Sequence, residues 1–412
     1  PKQPFMGTFN GSGFTIDGLT INRPEENHIG LFGYSISALY RDIYLENASI
    51  QGLNYVGGIV GHALSSYEPL LLLNIHFYGE ITGDTVSCGG IAGHITSGKG
   101  AIFSDNSSNA DVDCYNFTGG MIGQFSGSKL QLINSTFAGT VSAQMQVGGV
   151  LGAFSGIEIY ADNISSSGEV LTKNESQSFE IGGLFGGIHN IDDFELSNSH
   201  SSMNISRAID ATVYEGLEGS KIGGLIGALG ALSIPEQSNI SGCYAEGDIT
   251  IEGEADQVGG MVGFAAASYS YVNKSFATGN ISVAAGSTFI GGVFGFYQSG
   301  LGSLTNVYST GNVLAEGASY VGGLIGQFNG ELNGGYSAGL VEGGDSTGGL
   351  IGSGSSTVTN SFWDIETSGQ ETSAGGAGLT TEEMQNQYIY ESAGWDFETI
   401  WKMEPGSYPV LQ

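Results

Sequence analysis

The chain has 412 residues and a net charge of −31, with 41 acidic residues against 10 scattered basic ones, so a phosphate backbone would be repelled and no nucleic-acid partner is expected. Glycine accounts for 71 residues and only 12% are charged, yet 40% are apolar, which excludes a disordered low-complexity chain. No apolar run approaches the roughly 18 residues a membrane span needs, and the Leu70 to Leu73 cluster is far shorter. A lysine-poor, acidic surface suits an extracellular or high-salt setting, and it also serves simply to keep a β-protein soluble. The start at Pro1, without the n-region and h-region of a signal peptide, reads as a processed form or an excised piece.

Residues 1–27 read as entry strands: Phe5 to Ile16 alternates small and apolar residues at period two, interrupted by glycine turns. From residue 28 to 359 one unit recurs, clearest in Tyr320-Val321-Gly322-Gly323-Leu324-Ile325-Gly326. Its Gly-aliphatic-apolar-Gly core starts at Gly30, Gly58, Gly90, Gly120, Gly149, Gly183, Gly224, Gly260, Gly292, Gly323 and Gly349, eleven copies at steps of 26 to 41 residues. Such a period marks a stack in which each unit buries its apolar face against its neighbours, so one continuous all-β domain is expected instead of two or three globular ones. Glycine at both ends of the core implies backbone angles or close approaches that a Cβ forbids.

Between the cores lies a second half-repeat. Tyr244, Phe276, Tyr308 and Tyr336 each stand three residues before a glycine, and Ile249, Ile281, Val313 and Val341 two residues after it, so both sets are expected to form ladders across coils. At the 4.8 Å spacing of paired strands, eleven coils make a rod on the order of 50 Å long. The long step from Gly183 to Gly224 is expected to bulge as a loop from one coil. Residues 360–412 read as a cap. Thr380 and Glu383 form a capping box that starts a short helix, and Trp363, Trp395 and Trp401 are expected to cover the last apolar coil.

These motifs resemble the GLUG-motif repeats of prokaryotic surface proteins. The leader Phe9 to Gly13, the eleven cores, and the closing runs Phe362 to Gln370, Gly394 to Phe397 and Tyr408 to Leu411 carry the resemblance across nearly the whole chain. That family occurs in adhesins, in repeat regions of IgA-specific metalloproteases and in envelope proteins. The resemblance implies a parallel β-solenoid or β-arch stack on the outside of a cell, and no reaction.

No residues assemble an enzyme on paper, so no catalytic residue, cofactor or metal is expected. None of His28, His62, His76, His94, His189 or His200 lies in the His-Glu-x-x-His context of a metalloprotease. His62 and His94 each follow a core motif directly and so could stack on adjacent coils, but no third metal ligand is evident. The acidic runs Glu252 to Asp256 and Asp111 to Asp113 read as solvated turn carboxylates, and no core is followed by the Lys-(Ser/Thr) of a phosphate loop.

Cys88, Cys114 and Cys243 cannot all pair within one chain, which leaves an intermolecular bond, a free thiol or buried unreactive cysteines. Cys88 lies two residues before Gly90 and Cys114 six before Gly120, so a bridge between neighbouring coils is not expected, and a leftover thiol would lock subunits together. Asn-x-(Ser/Thr) triplets occur at Asn10, Asn47, Asn106, Asn116, Asn134, Asn163, Asn174, Asn204, Asn239, Asn273 and Asn280. They suit a glycosylated envelope protein, or arise automatically where a repeat sets Asn beside Ser and Thr.

The expected function is therefore non-enzymatic: an extracellular structural protein of the cell envelope that self-assembles through strand edges. The alternative is an adhesin module binding host surfaces or glycans, with the loop from Asn190 to Gly216 as a contact site.

Overall fold

The computed structural model describes residues 3–173, 179–207, 219–230 and 237–412. The chain winds as a parallel β-solenoid of about ten turns. Ten short strands, from Val56–Gly57 to Thr347–Gly348, form one parallel sheet, and an Ile29↔Val56 bridge continues it into the first coil. Each short strand immediately precedes one core glycine from Gly58 to Gly349, so the motif is the turn that carries the chain from this sheet into the other. The remaining wall is a 30-stranded sheet that bends around the coil.

One coil shows the plan. Val56–Gly57 leads through Gly58 and Ile59 into Val60–Ser65, and then into Leu70–Gly83, which turns a corner at Asn74 and bends again at Gly79. Both motif apolar positions point inward. The first is fully buried from Ile59 to Leu350, and the second is buried from Val60 to Ile351. Inward residues repeat in columns, as in Ile95↔Phe125↔Phe154↔Ile188↔Leu229, with the Phe125 and Phe154 rings stacked at 5.3 Å.

The motif glycines answer to close approach. None of the eleven first glycines has positive φ. A Cβ on Gly58 would strike the Gly90 carbonyl of the next coil and the Phe77 ring across the interior, and one on Gly120 would strike the Gly149 carbonyl and Phe137. The left-handed residues sit elsewhere, some at corners of the wall such as Asn74 and others three residues before the core glycine, as at Tyr55, Ser87, Phe117, Phe289 and Tyr320.

The C-terminal segment contains the helices Ile365–Ser368, Thr381–Met384 and Gln387–Ser392. Thr380 and Glu383 close the capping box expected of them. The three tryptophans divide their work, which differs from a single end plug. Trp363 lies in the main core over Gly349 and closes the end. Trp395 and Trp401 instead pack on the flank of the solenoid in a second core with Tyr308, Tyr336, Met384 and Tyr390. The reason is the outward ring ladder: the ring edges of the last coils present an apolar strip on the side of the rod, and the tail folds back to cover it.

Candidate functional site

Every recurring feature singled out in the sequence falls into a column along the rod, and the columns differ in chemistry. The expected ladders are present. His200, Tyr244, Phe276, Tyr308 and Tyr336 stack with ring centroids 4.7 to 5.0 Å apart and planes within 6°. Ile249, Ile281, Val313 and Val341 stand in register beside them. Stacked face to face, these rings hold coils together and offer solvent only their edges.

A second column was not foreseen. Asp42, Asn74, Asp105, Asn134, Asn163, Asn198, Gly242, Lys274, Asn306, Gly334 and Asn360 occupy the same corner with φ between 47° and 74°. Asn and Asp tolerate this left-handed region better than other side chains, and glycine adopts it freely. Their side chains also join coils: Asn74 Nδ2 donates to Asp42 Oδ1 at 2.9 Å, Asn163 to Asn134 at 2.9 Å, and Asn360 to Asn333 at 2.9 Å. The signal in the sequence was partial: an Asn stands two residues before His200 and Tyr308, as in Asn306-Val307-Tyr308, while Gly242, Lys274 and Gly334 hold that place before Tyr244, Phe276 and Tyr336.

Two of the Asn-x-(Ser/Thr) triplets, at Asn134 and Asn163, belong to this column, and several others are engaged in similar coil-to-coil hydrogen bonds. Nδ2, the atom a glycan would occupy, donates to a neighbouring coil in Asn47 (to Asp17, 2.8 Å), Asn134 (to Asp105, 3.1 Å), Asn163 and Asn280 (to Asp248, 3.1 Å). Asn106 is buried and donates to the Leu72 carbonyl. Asn10, Asn204 and Asn273 use Oδ1 as acceptor for Ser12 N–H, Asp248 N–H and Asn306 Nδ2. Asn116 and Asn239 are half-buried on strands, and Asn174 lies outside the described residues. The stretch from Asn190 to Gly216, expected as a loop, is not one over its described part: Asp193–Ser197 and His200–Arg207 are strands of the wall, and residue 208 onward lies outside the described residues.

The cysteines correct an expectation. Cys88 and Cys114 are joined, with Cα atoms 6.1 Å apart. Registers counted from the core glycines suggested otherwise, but the bridge does not join equivalent positions of two coils. Cys88 opens one coil and Cys114 ends the same coil, where the chain has come full circle. Gly83, one coil earlier in the Cys114 column, leaves the room, since a Cβ there would strike both sulfurs. The leftover Cys243 does not provide an intermolecular lock. It is buried, its thiol donates to the Ser241 and Leu196 carbonyls, and burial pushes its pKa up to about 12.

His62 and His94 stack as expected, with ring centroids 4.8 Å apart and planes 5° apart, and His28 extends the row 5.4 Å from His62. Burial, with the neighbouring imidazoles, pulls His62 and His94 down to about 4. Stacked rings do not converge their nitrogens, and among the described residues no group of three or more His, Cys, Asp or Glu side chains could hold a metal. The acidic runs are engaged locally: Asp111 accepts from Thr140 N–H at 3.1 Å, Asp113 pairs with Lys173, and Asp256 accepts from Gly219 N–H at 2.8 Å.

One buried polar group had no sequence signal. Glu180 and His189, each 7% exposed, lie 2.6 Å apart, with Gln146 at 2.6 Å and Lys221 at 3.6 Å from the carboxylate. Gln146, Glu180 and Lys221 occupy one column on successive coils, and Gly187 clears the space beneath, since its Cβ would meet all but Lys221. Burial pushes the Glu180 carboxyl up, but the His189 hydrogen bond and charge, the Gln146 amide and Lys221 outweigh it and hold it below its ordinary value. The arrangement ties three coils together beside the chain's longest repeat step.

The outer wall carries a depression among the described residues. Where the strands bend at Gly79 (φ 157°) and Gly139 (φ 143°), a shallow groove of about 570 Å³ runs along coils, with Tyr78, Glu80, Asn109 and Asp111 on its walls. The Tyr78 ring is 55% exposed.

A family model described as the GLUG motif matches residues 218–250. Over 97 residues the chain is 41% identical to a "Putative Gly-rich membrane protein" of Evansella cellulosilytica, covering 22% of this chain and 11% of that protein. Over 96 residues it is 32% identical to "Halomucin" of Haloquadratum walsbyi, covering 23% of this chain and 1% of that protein. The chain thus spans only a small part of either relative's length. No solved structure matches. No helix among the described residues is long and apolar enough to cross a membrane. The motif and the names of these relatives are consistent with a surface or envelope repeat protein.

Proposed function

We propose that this chain is a non-enzymatic structural segment of an extracellular surface protein, and that it self-associates through strand edges into a sheath or surface layer. The observation that carries this reading is where the chemistry goes. Stacked rings, corner amides and a buried ionic cluster connect coil to coil and a disulfide closes one coil on itself, so the polar groups that could have formed a reaction site serve the rod. The GLUG match and the relatives' names support a place at the cell surface. Negative-stain electron microscopy of the purified chain tests it: ordered polymers without added ligand are expected, and a strictly monomeric rod at every concentration would refute self-assembly.

The groove with its exposed Tyr78 ring favours a second reading, an adhesin module that holds glycans. Ring faces and carboxylates are the usual partners of sugar C–H and hydroxyl groups. Binding on a glycan array, lost in Tyr78→Ala, would favour this reading over the structural one.

A further inference from the structure

The ring column on the outer wall is broken in its middle. His76 stacks on Tyr44 of the preceding coil with centroids 4.6 Å apart, and the column resumes only at His200, which stacks on Tyr244. Between them the register carries small hydroxyl side chains, Ser107, Thr136 and Ser165. At about 4.8 Å per coil, the missing rings leave roughly 19 Å between the two histidines. Elsewhere the next ring covers each ring face, as Phe276 covers Tyr244. Ser107 has no such surface to offer His76.

The neighbouring outward column takes the same step at the same coil. Tyr78, two residues after His76 and on the same face of the strand, is followed in register by Asn109 and then Ala138. His76 and Tyr78 therefore form a ledge of two rings above a floor of shorter side chains. A cavity of about 260 Å³ lies at this ledge, bounded by His76, Tyr78, Ser107 and Asn109, and it adjoins the groove of about 570 Å³ through Tyr78 and Asn109. Asn74 Oδ1 lies 2.9 Å from His76 Nε2 and Ser107 Oγ 2.7 Å from Nδ1, so the imidazole is held in place before any ligand arrives. Side chains two apart on a strand stand roughly 6.7 Å from each other. A ledge with that spacing meets a chain of ring-shaped units, not one small molecule.

We propose that this ledge binds a saccharide chain free of acidic groups, which lies along the strand with one sugar against His76 and a neighbouring one against Tyr78. A pyranose carries C–H groups on its flat face and hydroxyls around its rim. The two rings receive the C–H face, and the exposed Asn109 amide and Thr136 hydroxyl on the floor receive the rim. Glu46, Glu80 and Asp111 are exposed along the same walls and repel carboxylate-bearing sugars, which sets the ligand class. This proposal rests on the adhesin reading and names its ligand and the residues that hold it.

Isothermal titration of the whole chain with cellohexaose, mannohexaose and hexagalacturonate tests it. At least one neutral chain is expected to bind, and hexagalacturonate at least about tenfold more weakly at low salt. His76→Ala should weaken the neutral chain at least about tenfold with its melting profile unchanged. Ser107→Tyr continues the stack over His76, as Phe276 does over Tyr244, and should abolish binding while the fold is kept. If that variant melts early, His76→Ala decides alone. Tyr271→Ala, at an exposed ring on a later coil, should bind like wild type. Binding lost in Tyr78→Ala yet unchanged in His76→Ala would overturn the ledge and leave the adhesin reading standing, as would equal or tighter binding of hexagalacturonate. Failure of both neutral chains to bind would also overturn this proposal, and a blank glycan array would remove the adhesin reading with it.

Discussion

Gly323→Val probes the physical reason for the motif. A Cβ at Gly323 would press into the Gly349 carbonyl of the next coil and stand 2.9 Å from Ser337 Oγ and 3.0 Å from Ser337 Cβ. The nearest obstacle is backbone, so no side-chain rotation relieves it. Overpacking of this kind costs about 1–3 kcal/mol. Separating the coils also stretches the Gly323 N–H to Gly348 carbonyl bond (3.3 Å) and the Ser337 Oγ to Gly349 carbonyl bond (2.7 Å), at about 1 kcal/mol each. The sum is about 3–5 kcal/mol, concentrated in the last coils because each coil contacts only its neighbours. The assay is guanidinium unfolding combined with hydrogen exchange, and loss of protection should centre on residues 292–352. Gly98→Ala is the control, since a Cβ there meets nothing nearer than the Ser65 carbonyl at 4.0 Å. If Gly323→Val unfolds within about 0.5 kcal/mol of wild type, close approach is not what the motif glycines are for.

Opening the Cys88–Cys114 bridge by Cys114→Ser should lower stability by about 2–4 kcal/mol, given its sequence separation of 26, and the wild-type chain should show no disulfide-linked oligomers on non-reducing gels. His62 and His94 titrate near 6.5 when unfolded and near 4 in the fold. Between those values the unfolded chain binds more protons, so stability should fall as pH drops from 6.5 towards 4. A pH series of melting curves should show a smaller decline for His62→Gln/His94→Gln than for wild type. In-register like charges such as Glu80↔Asp111 and Glu158↔Asp193, on a chain of net charge −31, should make the melting temperature rise with salt above about 0.1 M, and a flat response would count against significant repulsion. Trp401→Ala should free the C-terminal flank and expose Tyr308 and Tyr336 to hydrogen exchange and quencher, while the coil core keeps its protection.

The solenoid was legible because its strict positions repeat. Gly58 and Gly323 face the same carbonyl of the next coil, so the same residue returns, and Tyr244, Phe276 and Tyr308 return because stacked rings must match. The corner amides repeat too, but Asp, Gly and Lys also satisfy a left-handed corner, so that column looked irregular, and two of its residues, Asn134 and Asn163, read as sugar acceptors. The Cys88–Cys114 bridge escaped because it joins the two ends of one coil, and counting from the core glycines compares only equivalent positions. The flank packing of Trp395 and Trp401 depends on which side of the rod the tail returns along, and linear spacing does not encode that. Nothing repeats in the Glu180, His189 and Lys221 cluster, since it occurs once beside an insertion.

The columns therefore separate what the rod must keep from what it is free to vary. An inward position sees two neighbouring coils and the opposite wall, so one misplaced methyl group moves three layers of chain. An outward position on the wall meets only its own column and solvent. Tyr78, Asn109 and Ala138 share such a column on adjacent coils, as do Glu80, Asp111 and Thr140. The scaffold accepts these different chemistries at the same register. Recognition, where the rod carries any, can arise in the outward columns without changing the fold.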